Sequence, residues 1–261
     1  MRDAHRLPDR VRLEGLHPLK HALRFGARVD AIVTPDPVAL DLLLATLAPD
    51  VRLPVAPTVV DTGTFRALAP RELPAPVLAA AVRPATDAGT VLARPGRIVV
   101  LDRPRHLGNL GAVVRVAAAA GAGGVLVVGD ADPWHPTAVR AATGLGFALA
   151  LGRADELPDC SPRPVVALDA PAPATADSTD PVPPAGPFPP AGPDPGALWP
   201  LPADAVVVVG TERGGLDPDL ARRAHHRCTI PMRPGVSSLN LATAVAVALY
   251  TPAPPHVPPW R

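Results

Sequence analysis

The apolar and polar positions along residues 1–96 alternate between short strand-like runs and helical stretches. The predicted strands lie at 10–15, 29–34, 51–61 and 77–84, and the predicted helices at 17–26 and 37–48. Gly26 marks the end of the first helix, because glycine readily adopts the backbone conformation found there. Pro37 favours the start of the second helix, since its fixed φ suits a first helical turn. Residues 84–96 are interpreted as a hinge.

The same alternation continues from residue 96 to residue 250. Strands are predicted at 96–102, 123–130, 146–152, 163–170, 204–210 and 227–232, and helices at 109–121, 136–144, 153–157, 217–224 and 241–250. The strands are continuous runs of Val, Ile and Leu, which is typical of parallel strands covered on both faces. The fold class is therefore predicted as α/β, with a parallel sheet preceded by a smaller α/β unit.

Proline is abundant, with 38 residues, but it is unevenly placed. The stretch 171–203 consists largely of Pro, Ala, Gly and Asp, a composition that buries too little apolar surface to offset the entropy of ordering the chain. It is therefore predicted to be a disordered insertion. Pro252 is expected to end the last helix, because proline lacks the amide donor and clashes with the preceding turn.

The net charge of the 261-residue chain is +1, so no overall basic field indicates a nucleic-acid partner. Cys160 and Cys228 lie far apart without metal-ligand spacing, and Cys228 is expected to be a buried strand residue. No segment reaches the roughly 18–20 apolar residues of a membrane helix. These features predict a cytoplasmic protein with no membrane partner and no metal site.

Three loops that follow predicted strands carry the candidate chemistry, since ligands bind at the carboxyl ends of strands in parallel sheets. In the first, Arg115 is the only formally charged residue between Arg105 and Asp130, and it lies within an alanine-rich helix. A buried guanidinium without a partner is costly. Arg115 therefore points into solvent or binds an anion such as phosphate. Asn109 lies near the start of the same helix, where a turn or a helix cap is the simpler role.

The second loop follows the strand that ends at Gly210 and contains Thr211 and Glu212. Gly210 could bring main-chain amides against a ligand, and Glu212 could accept hydrogen bonds from a ligand or steady a neighbouring loop. Asp217 is predicted to cap the next helix, with Pro218 at its first position. Taken alone, this segment is an ordinary strand-to-helix turn.

The third loop ends in Ser237, Ser238, Leu239 and Asn240, directly before an apolar helix without a charged face. Such a helix is buried or lies at a subunit interface. One serine would suffice to cap it. The additional hydroxyl and the amide therefore predict a ligand site at the start of the helix.

Together and in this order, the three segments resemble the motifs of the SpoU (TrmH) family of RNA ribose 2′-O-methyltransferases, within the SPOUT class. The first is similar to N-x-G-A-x-x-R-x-A, the second to a strand followed by G-[ST]-E-x-x-G-L, and the third to I-P-M, a spacer and S-L-N. The resemblance covers about 96–250. In addition, the stretch RVRLEGLHPLKHALRFG at 10–26 resembles the start of the family's L30e-like substrate-binding domain.

The resemblance implies an L30e-like RNA-binding domain at 1–84 and a SPOUT methyltransferase domain at 96–251, whose C-terminal part is tied into a trefoil knot. It implies S-adenosylmethionine as the cofactor, RNA as the substrate and a homodimer as the working form. The implied catalytic residues are Arg115, Asn109, Glu212, Ser238 and Asn240. The implied cofactor-binding residues are Gly210, Thr211, Ile230, Met232, Ser238 and Leu239. The resemblance implies no metal.

The implied reaction is an attack by a ribose 2′-oxygen on a sulfonium methyl carbon, in ribosomal or transfer RNA. The methyl group is already activated, so the protein mainly orients the reactants and helps to remove a proton. Because arginine is a poor base, Arg115 would grip a phosphate of the target nucleotide and stabilise the developing alkoxide. Alternatively, Arg115 takes the proton with help from that phosphate. The N-terminal domain favours ribosomal RNA.

Two alternatives remain open from the sequence. The first is a non-catalytic RNA-binding homologue that keeps the fold and the cofactor pocket, although a binding protein would not need all five of the implied catalytic residues. The second is a nucleotide-dependent oxidoreductase that uses the GAGG segment at 121–124 and holds a ribose with Asp130. Separately, Trp134 or His135 could stack on a base.

Overall fold

The computed structural model describes residues 9–69, 71–169, 201–210, 215–230, 232, 233, 236 and 238–251. Within these residues the strands are β1 (Arg10–Glu14), β2 (Val29–Thr34), β3 (Thr58–Val59), β4 (Leu78–Val82), β5 (Ile98–Asp102), β6 (Gly124–Val128), β7 (Ala150–Ala154), β8 (Val165–Asp169), β9 (Val206–Val209) and β10 (His226–Thr229). The helices are α1 (Leu16–Arg24), α2 (Pro37–Leu47), α3 (Thr62–Leu68), α4 (Ala88–Leu92), α5 (Leu107–Ala119), α6 (Pro136–Ala141), α7 (Pro218–Arg223) and α8 (Leu241–Tyr250). Most of the predicted insertion lies outside the described residues, as do Thr211, Glu212, Ser237 and Pro252.

The first four strands form a small sheet in the order β1-β4-β2-β3, in which β1 and β2 each run antiparallel to β4. The strand predicted at 51–61 is largely wrong, since only Thr58–Val59 pairs, parallel to β2. Two prolines in this stretch lack the amide donors that a strand ladder needs. Helix α3 was not predicted; it begins where the Asp61 carboxylate accepts a hydrogen bond from Thr64 N at 3.0 Å.

The remaining strands form one parallel sheet in the order β10-β8-β9-β5-β6-β7, which confirms the predicted parallel α/β class. The inner strands β8, β9, β5 and β6 are buried on both faces because α5 and α8 pack on one face while α4 and α7 pack on the other. Alternate residues of β5 show this arrangement. Val99 and Leu101 belong to the core under α5 and α8, whereas Ile98 and Val100 belong to the core on the opposite face.

The segment 84–96, interpreted from the sequence as a hinge, contains a helix that packs on the large sheet. The Asp87 carboxylate accepts a hydrogen bond from Thr90 N at 2.6 Å and so caps α4. Val91 of this helix is completely buried in the core. This part of the connection between the two sheets is therefore a packed element.

Other predicted boundaries near the large sheet shift by a few residues. The strand predicted at 146–152 lies later, at β7, and a short 3-10 helix (Leu145–Ala148) precedes it. Because β7 continues to Ala154, the short helix predicted at 153–157 is wrong. In the small sheet, Gly26 follows α1 with a φ of 74°, as predicted for a helix end.

Polar contacts join the small sheet to the large one. The Arg140 guanidinium on α6 donates to the Glu14 carboxylate on β1 at 3.1 Å, and Glu14 also pairs with Arg12 at 3.1 Å. Glu14 is only 6% exposed, so two arginines compensate a carboxylate in a poorly solvated place. In addition, His21 Nδ1 on α1 lies 2.7 Å from the Thr143 carbonyl oxygen. These contacts fix the small sheet against the α6 side of the large one.

Arg97, at the amino end of β5, holds two distant chain segments. Its guanidinium donates to the carbonyl oxygens of Leu201, Pro202 and Leu249 at 2.7 to 3.1 Å. Leu201 is completely buried. The predicted C-terminal boundary of the disordered insertion, residue 203, is therefore too late, because Leu201 is already packed in the core.

Candidate active site

The first and third loops meet at the carboxyl edge of the large sheet. Asn240 donates a hydrogen bond from Nδ2 to Oδ1 of Asn109 at 3.3 Å, although 131 positions separate the two residues in the chain. Helices α5 and α8, which carry them, pack side by side on the same face of the sheet. The structure thus brings two of the residues singled out in the sequence into direct contact; we call them the asparagine pair.

Asn240 is also the residue that caps α8, a role that the sequence assigned to a serine. Its Oδ1 accepts hydrogen bonds from Ala242 N at 3.0 Å and from Thr243 N at 3.4 Å. Because the helix uses this oxygen, the amide nitrogen is turned toward Asn109. Ser238, two residues earlier, is exposed. One side chain therefore both starts α8 and links it to α5.

Asn109 is not a helix cap. Helix α5 begins at Leu107, with His106 at the N-cap position, so Asn109 lies within the first turn and is half-buried. Its side-chain oxygen accepts the hydrogen bond from Asn240. The simpler role that the sequence left open for Asn109 therefore does not apply.

Arg115 lies six residues after Asn109 on the exposed side of α5. Helical geometry separates two such positions by about 120° around the axis and about 9 Å along it. Among the described residues, the Arg115 guanidinium has no hydrogen-bond or ion-pair partner, so it is not hydrogen-bonded to either member of the asparagine pair. Its charge points into solvent, where an anionic ligand can reach it.

The second loop begins with a close backbone approach at Gly210, after β9. A Cβ atom at this position would lie 2.1 Å from Gly215 O and 2.4 Å from Leu216 N, so only glycine fits. Gly215 itself has a φ of +65°, which glycine adopts at little cost. The chain that returns from the second loop therefore lies across the end of β9. Thr211 and Glu212, within this loop, are not among the described residues.

The predicted cofactor-binding residues of the third loop flank β10 and α8. Ile230 directly follows β10 and packs against the large core, and Leu239 directly precedes Asn240; both are half-buried. Met232 is half-buried as well, whereas Ser238 is exposed. These positions offer partly exposed apolar surface in the third loop, which suits a ligand that has both apolar and polar parts.

Asp102 and Arg103, at the carboxyl end of β5, were missed by the sequence analysis. Asp102 is 4% exposed and accepts a hydrogen bond from Asp217 N at 2.9 Å through Oδ2. The Arg103 guanidinium donates to the Asp217 carboxylate at 2.7 Å. Hydrogen bonds from Asp219 N and from Arg103 lower the pKa of the Asp217 carboxyl. The sequence signal that could have revealed Asp102 is an acidic residue at the end of an otherwise apolar strand, IVVLD.

The position of the GAGG segment does not support an oxidoreductase. Gly123 and Gly124 lie at the amino end of β6, the opposite end of the sheet from the asparagine pair. A Cβ atom at these positions would lie 2.2 Å from Pro95 O and 2.6 Å from Ala150 O, respectively. These glycines therefore allow backbone segments to pack closely. Asp130, after β6, projects fully into solvent.

Several smaller candidates serve the fold. Trp134 is buried, with its ring centroid 4.8 Å from that of Phe147, so it is not available to stack on a base. His135 caps α6, since its Nδ1 accepts a hydrogen bond from Thr137 N at 3.1 Å. Cys228 is buried, as predicted, and burial raises the pKa of its thiol to about 11.

In the part of the chain that the structure describes, no group of three or more His, Cys, Asp or Glu side chains could hold a metal ion. Among the helices of that same part, none combines the length and the apolar character needed to cross a membrane.

The fold of this chain is similar to that of solved SpoU methyltransferases. The crystal structure of the SpoU methyltransferase AviRb from Streptomyces viridochromogenes, in complex with the cofactor AdoMet, matches with a TM-score of 0.69. The match covers 93% of this chain and 89% of that chain at 22% sequence identity. The sequence model of the SpoU rRNA Methylase family matches residues 96–250, and the chain belongs to this family.

The chain is also similar to two curated relatives. The chain is 28% identical over 250 residues to the 23S rRNA (adenosine(1067)-2'-O)-methyltransferase of Streptomyces laurentii. The aligned residues cover 92% of this chain and 84% of the relative. It is 30% identical over 188 residues to the 23S rRNA (uridine(2479)-2'-O)-methyltransferase of Streptomyces viridochromogenes. This alignment covers 69% of this chain and 60% of the relative. The family predicted from the three motifs is thus confirmed.

Proposed function

We propose that this protein transfers a methyl group from S-adenosylmethionine to the 2′-hydroxyl of a ribose in ribosomal or transfer RNA. The hydrogen bond between Asn240 and Asn109 carries the proposal, because it joins the first and third family motifs at one edge of the parallel sheet. The family match over 96–250 supports it. Ribosomal RNA is the favoured substrate, since both relatives described above are named for 23S rRNA.

The methyl donor is held at the carboxyl edge of the large sheet. The proposed contacts, which follow from the family resemblance, are Gly210, Thr211, Ile230, Met232, Ser238 and Leu239. The close backbone approach at Gly210 and the half-buried apolar side chains of the third loop fit a ligand of mixed polarity. When bound, the donor would supply an activated methyl group on a positively charged sulfur, and S-adenosylhomocysteine would be the leaving group after transfer to the ribose 2′-oxygen.

Arg115 binds a phosphate of the target nucleotide and stabilises the negative charge that develops on the 2′-oxygen. Its guanidinium is exposed and unpaired among the described residues, so its charge is not already neutralised. The asparagine pair orients the substrate. The hydrogen bond from Ala242 N, in the first turn of α8, to Asn240 Oδ1 keeps the side-chain amide dipole of Asn240 fixed before the reaction. Glu212 and Ser238 complete the site. The 2′-hydroxyl proton passes to a water molecule of the solvent as the new oxygen–carbon bond forms.

The finer architecture is proposed from the family resemblance. Residues 1–84 form an L30e-like substrate-binding domain, and residues 96–251 form the SPOUT domain, whose C-terminal part is a trefoil knot. The protein acts as a homodimer in the cytoplasm, where it meets its RNA. Helix α8 has no charged residue and exposes Val247 and Tyr250, an apolar face that a second copy of the chain would cover.

The activity is tested with purified protein, S-adenosylmethionine carrying a labelled methyl group, and ribosomal RNA from cells that lack the gene. The label should map to one ribose, identified by the resistance of its phosphodiester to alkaline hydrolysis. Arg115→Ala should reduce transfer by about 10²- to 10³-fold, as expected when one charge-stabilising group is lost. Binding of S-adenosylhomocysteine, measured by calorimetry, should survive in this variant.

Arg94→Ala provides the matched control, because it removes an exposed arginine before the amino end of β5, away from the site. It should keep wild-type transfer. Normal turnover in Arg115→Ala would show that the role of Arg115 is misassigned. Binding of S-adenosylhomocysteine without transfer to any RNA would indicate the non-catalytic homologue, and binding of NADH in its place would indicate the oxidoreductase.

A further inference from the structure

The carboxyl end of β5 places a buried carboxylate beside the second loop of the site. Asp102 Oδ2 accepts the hydrogen bond from Asp217 N, while Oδ1 has no hydrogen-bond partner among the described residues. This second oxygen lies 3.6 Å from Arg103 Nη1. An apolar side chain would fill the same place without the desolvation cost of a carboxylate. The carboxylate therefore calls for an explanation beyond packing.

Arg103 is held next to Asp102 in an unusual backbone conformation. Its φ is 43°, in the left-handed region that non-glycine residues rarely adopt. Its backbone amide donates to Val128 O at 2.9 Å, and its guanidinium donates to the Asp217 carboxylate. Gly129 leaves room for this arrangement, since a Cβ atom there would lie 3.0 Å from Arg103 Cγ. Two consecutive residues thus hold Asp217. The Asp102 carboxylate binds the backbone amide of Asp217, and the Arg103 guanidinium binds its carboxylate.

Asp217 lies at the end of the chain segment that crosses β9. Two residues earlier, Gly215 O is in close contact with Gly210. The side chain of Asp217 also caps α7 by accepting a hydrogen bond from Asp219 N at 2.8 Å. The segment 215–217 is therefore constrained by the Gly210 contact at one end and by Asp102 at the other.

We propose that Asp102 is a positioning residue for methyl transfer, which fixes the segment 215–217 against Gly210 and so holds the Gly210 backbone in place. The inference rests on the proposed function, in which Gly210 contacts the methyl donor. Without the Asp102 carboxylate, the ion pair between Arg103 and Asp217 would be the remaining link to β5. This pair is weak, because the Arg103 side chain is 56% exposed.

The test measures binding of S-adenosylhomocysteine by calorimetry in three variants of the full chain. Asp102→Ala removes the acceptor and should weaken binding about tenfold or more. Asp102→Asn keeps an oxygen in place and should bind nearly as well as the wild type. Asp102→Glu keeps the charge but moves it outward, and it should bind less tightly than Asp102→Asn. In steady-state kinetics, Asp102→Ala should raise KM for the methyl donor and leave KM for RNA unchanged.

Asp87→Ala is the matched control, because it also removes an aspartate that accepts a hydrogen bond from a backbone amide at a helix packed on this sheet. It should lose stability but keep wild-type affinity for S-adenosylhomocysteine. An equal loss of affinity in Asp87→Ala and Asp102→Ala would reduce the effect to general stability and overturn the inference. Wild-type affinity in folded Asp102→Ala would overturn it too, while the proposed function would stand.

The comparison of Asp102→Asn with Asp102→Glu decides the matter if Asp102→Ala does not fold. Tighter binding by the glutamate variant would show that charge matters more than position, which contradicts the inference. If the wild-type protein neither binds S-adenosylhomocysteine nor transfers methyl groups, the proposed function itself is wrong.

Discussion

The substitution Gly111→Ala tests the helix packing that carries the site. Gly111 lies in α5, two residues after Asn109, where α5 contacts α6. A Cβ atom at this position would lie 2.2 Å from Ala138 O and 2.6 Å from Ala141 Cβ. Neither neighbour is the flexible end of a long side chain, so the backbones of α5 and α6 would have to move apart.

Two opposing effects decide the sign of the change in stability. Within a helix, alanine is more favourable than glycine by about 0.5–1 kcal/mol. Against this, an overpacked contact costs about 1–3 kcal/mol, and relief of the contact with Ala138 needs a shift of about 1 Å to reach ordinary atomic separation. The free energy of unfolding of Gly111→Ala should therefore fall by about 1–2 kcal/mol, which lowers Tm by roughly 2–8 °C.

Urea and thermal unfolding measure this change, with Gly108→Ala as the matched control in the same helix. A Cβ atom at Gly108 meets nothing within 4 Å, so that variant should match the wild type or gain up to about 1 kcal/mol. Gly111→Ala should also reduce methyl transfer, because a displaced α5 moves Asn109 and Arg115. If Gly111→Ala proves as stable as Gly108→Ala, helix propensity outweighs the contact and the reasoning is refuted.

Two further predictions concern buried ionisable groups. Glu14→Gln removes the charge that compensates Arg12 and Arg140, and it should lower the free energy of unfolding by about 3 kcal/mol, measured in urea; an unchanged midpoint would contradict this. Burial raises the pKa of Cys228 from 9.0 to about 11, so between these values the unfolded thiol loses its proton while the folded thiol keeps it, and stability falls as pH rises. Thermal unfolding should show this slope in the wild type and a flatter one in Cys228→Ala.

The strands of the large sheet could be predicted because their residues form long apolar runs, such as the four valines of β9. The contact between Asn109 and Asn240 could not be derived from spacing, because a meeting between residues so far apart depends on the order of the strands. The family resemblance, rather than the pattern, indicated that these residues belong to one site.

Short elements and helix caps were harder to predict. Helices α3 and α4 have 7 and 5 residues, too few to show a helical period, although Asp61 and Asp87 are ordinary cap residues. Serine and asparagine are similarly good caps, so only the backbone conformation reveals that Asn240 starts α8. Asp102 was missed because a charged residue is seldom buried, and a sequence gives no sign of the backbone amide that compensates it.

The central strand of the large sheet is synthesised long before one of its two neighbours. Val99 of β5 pairs with Val125 of β6 on one side but with Val207 of β9 on the other. Pairing between such distant residues slows folding. During translation, β5, β6 and β7 can therefore pair before β9 is available, and the unpaired backbone N–H and C=O groups of β5 stay open to other nascent chains until β9 leaves the ribosome.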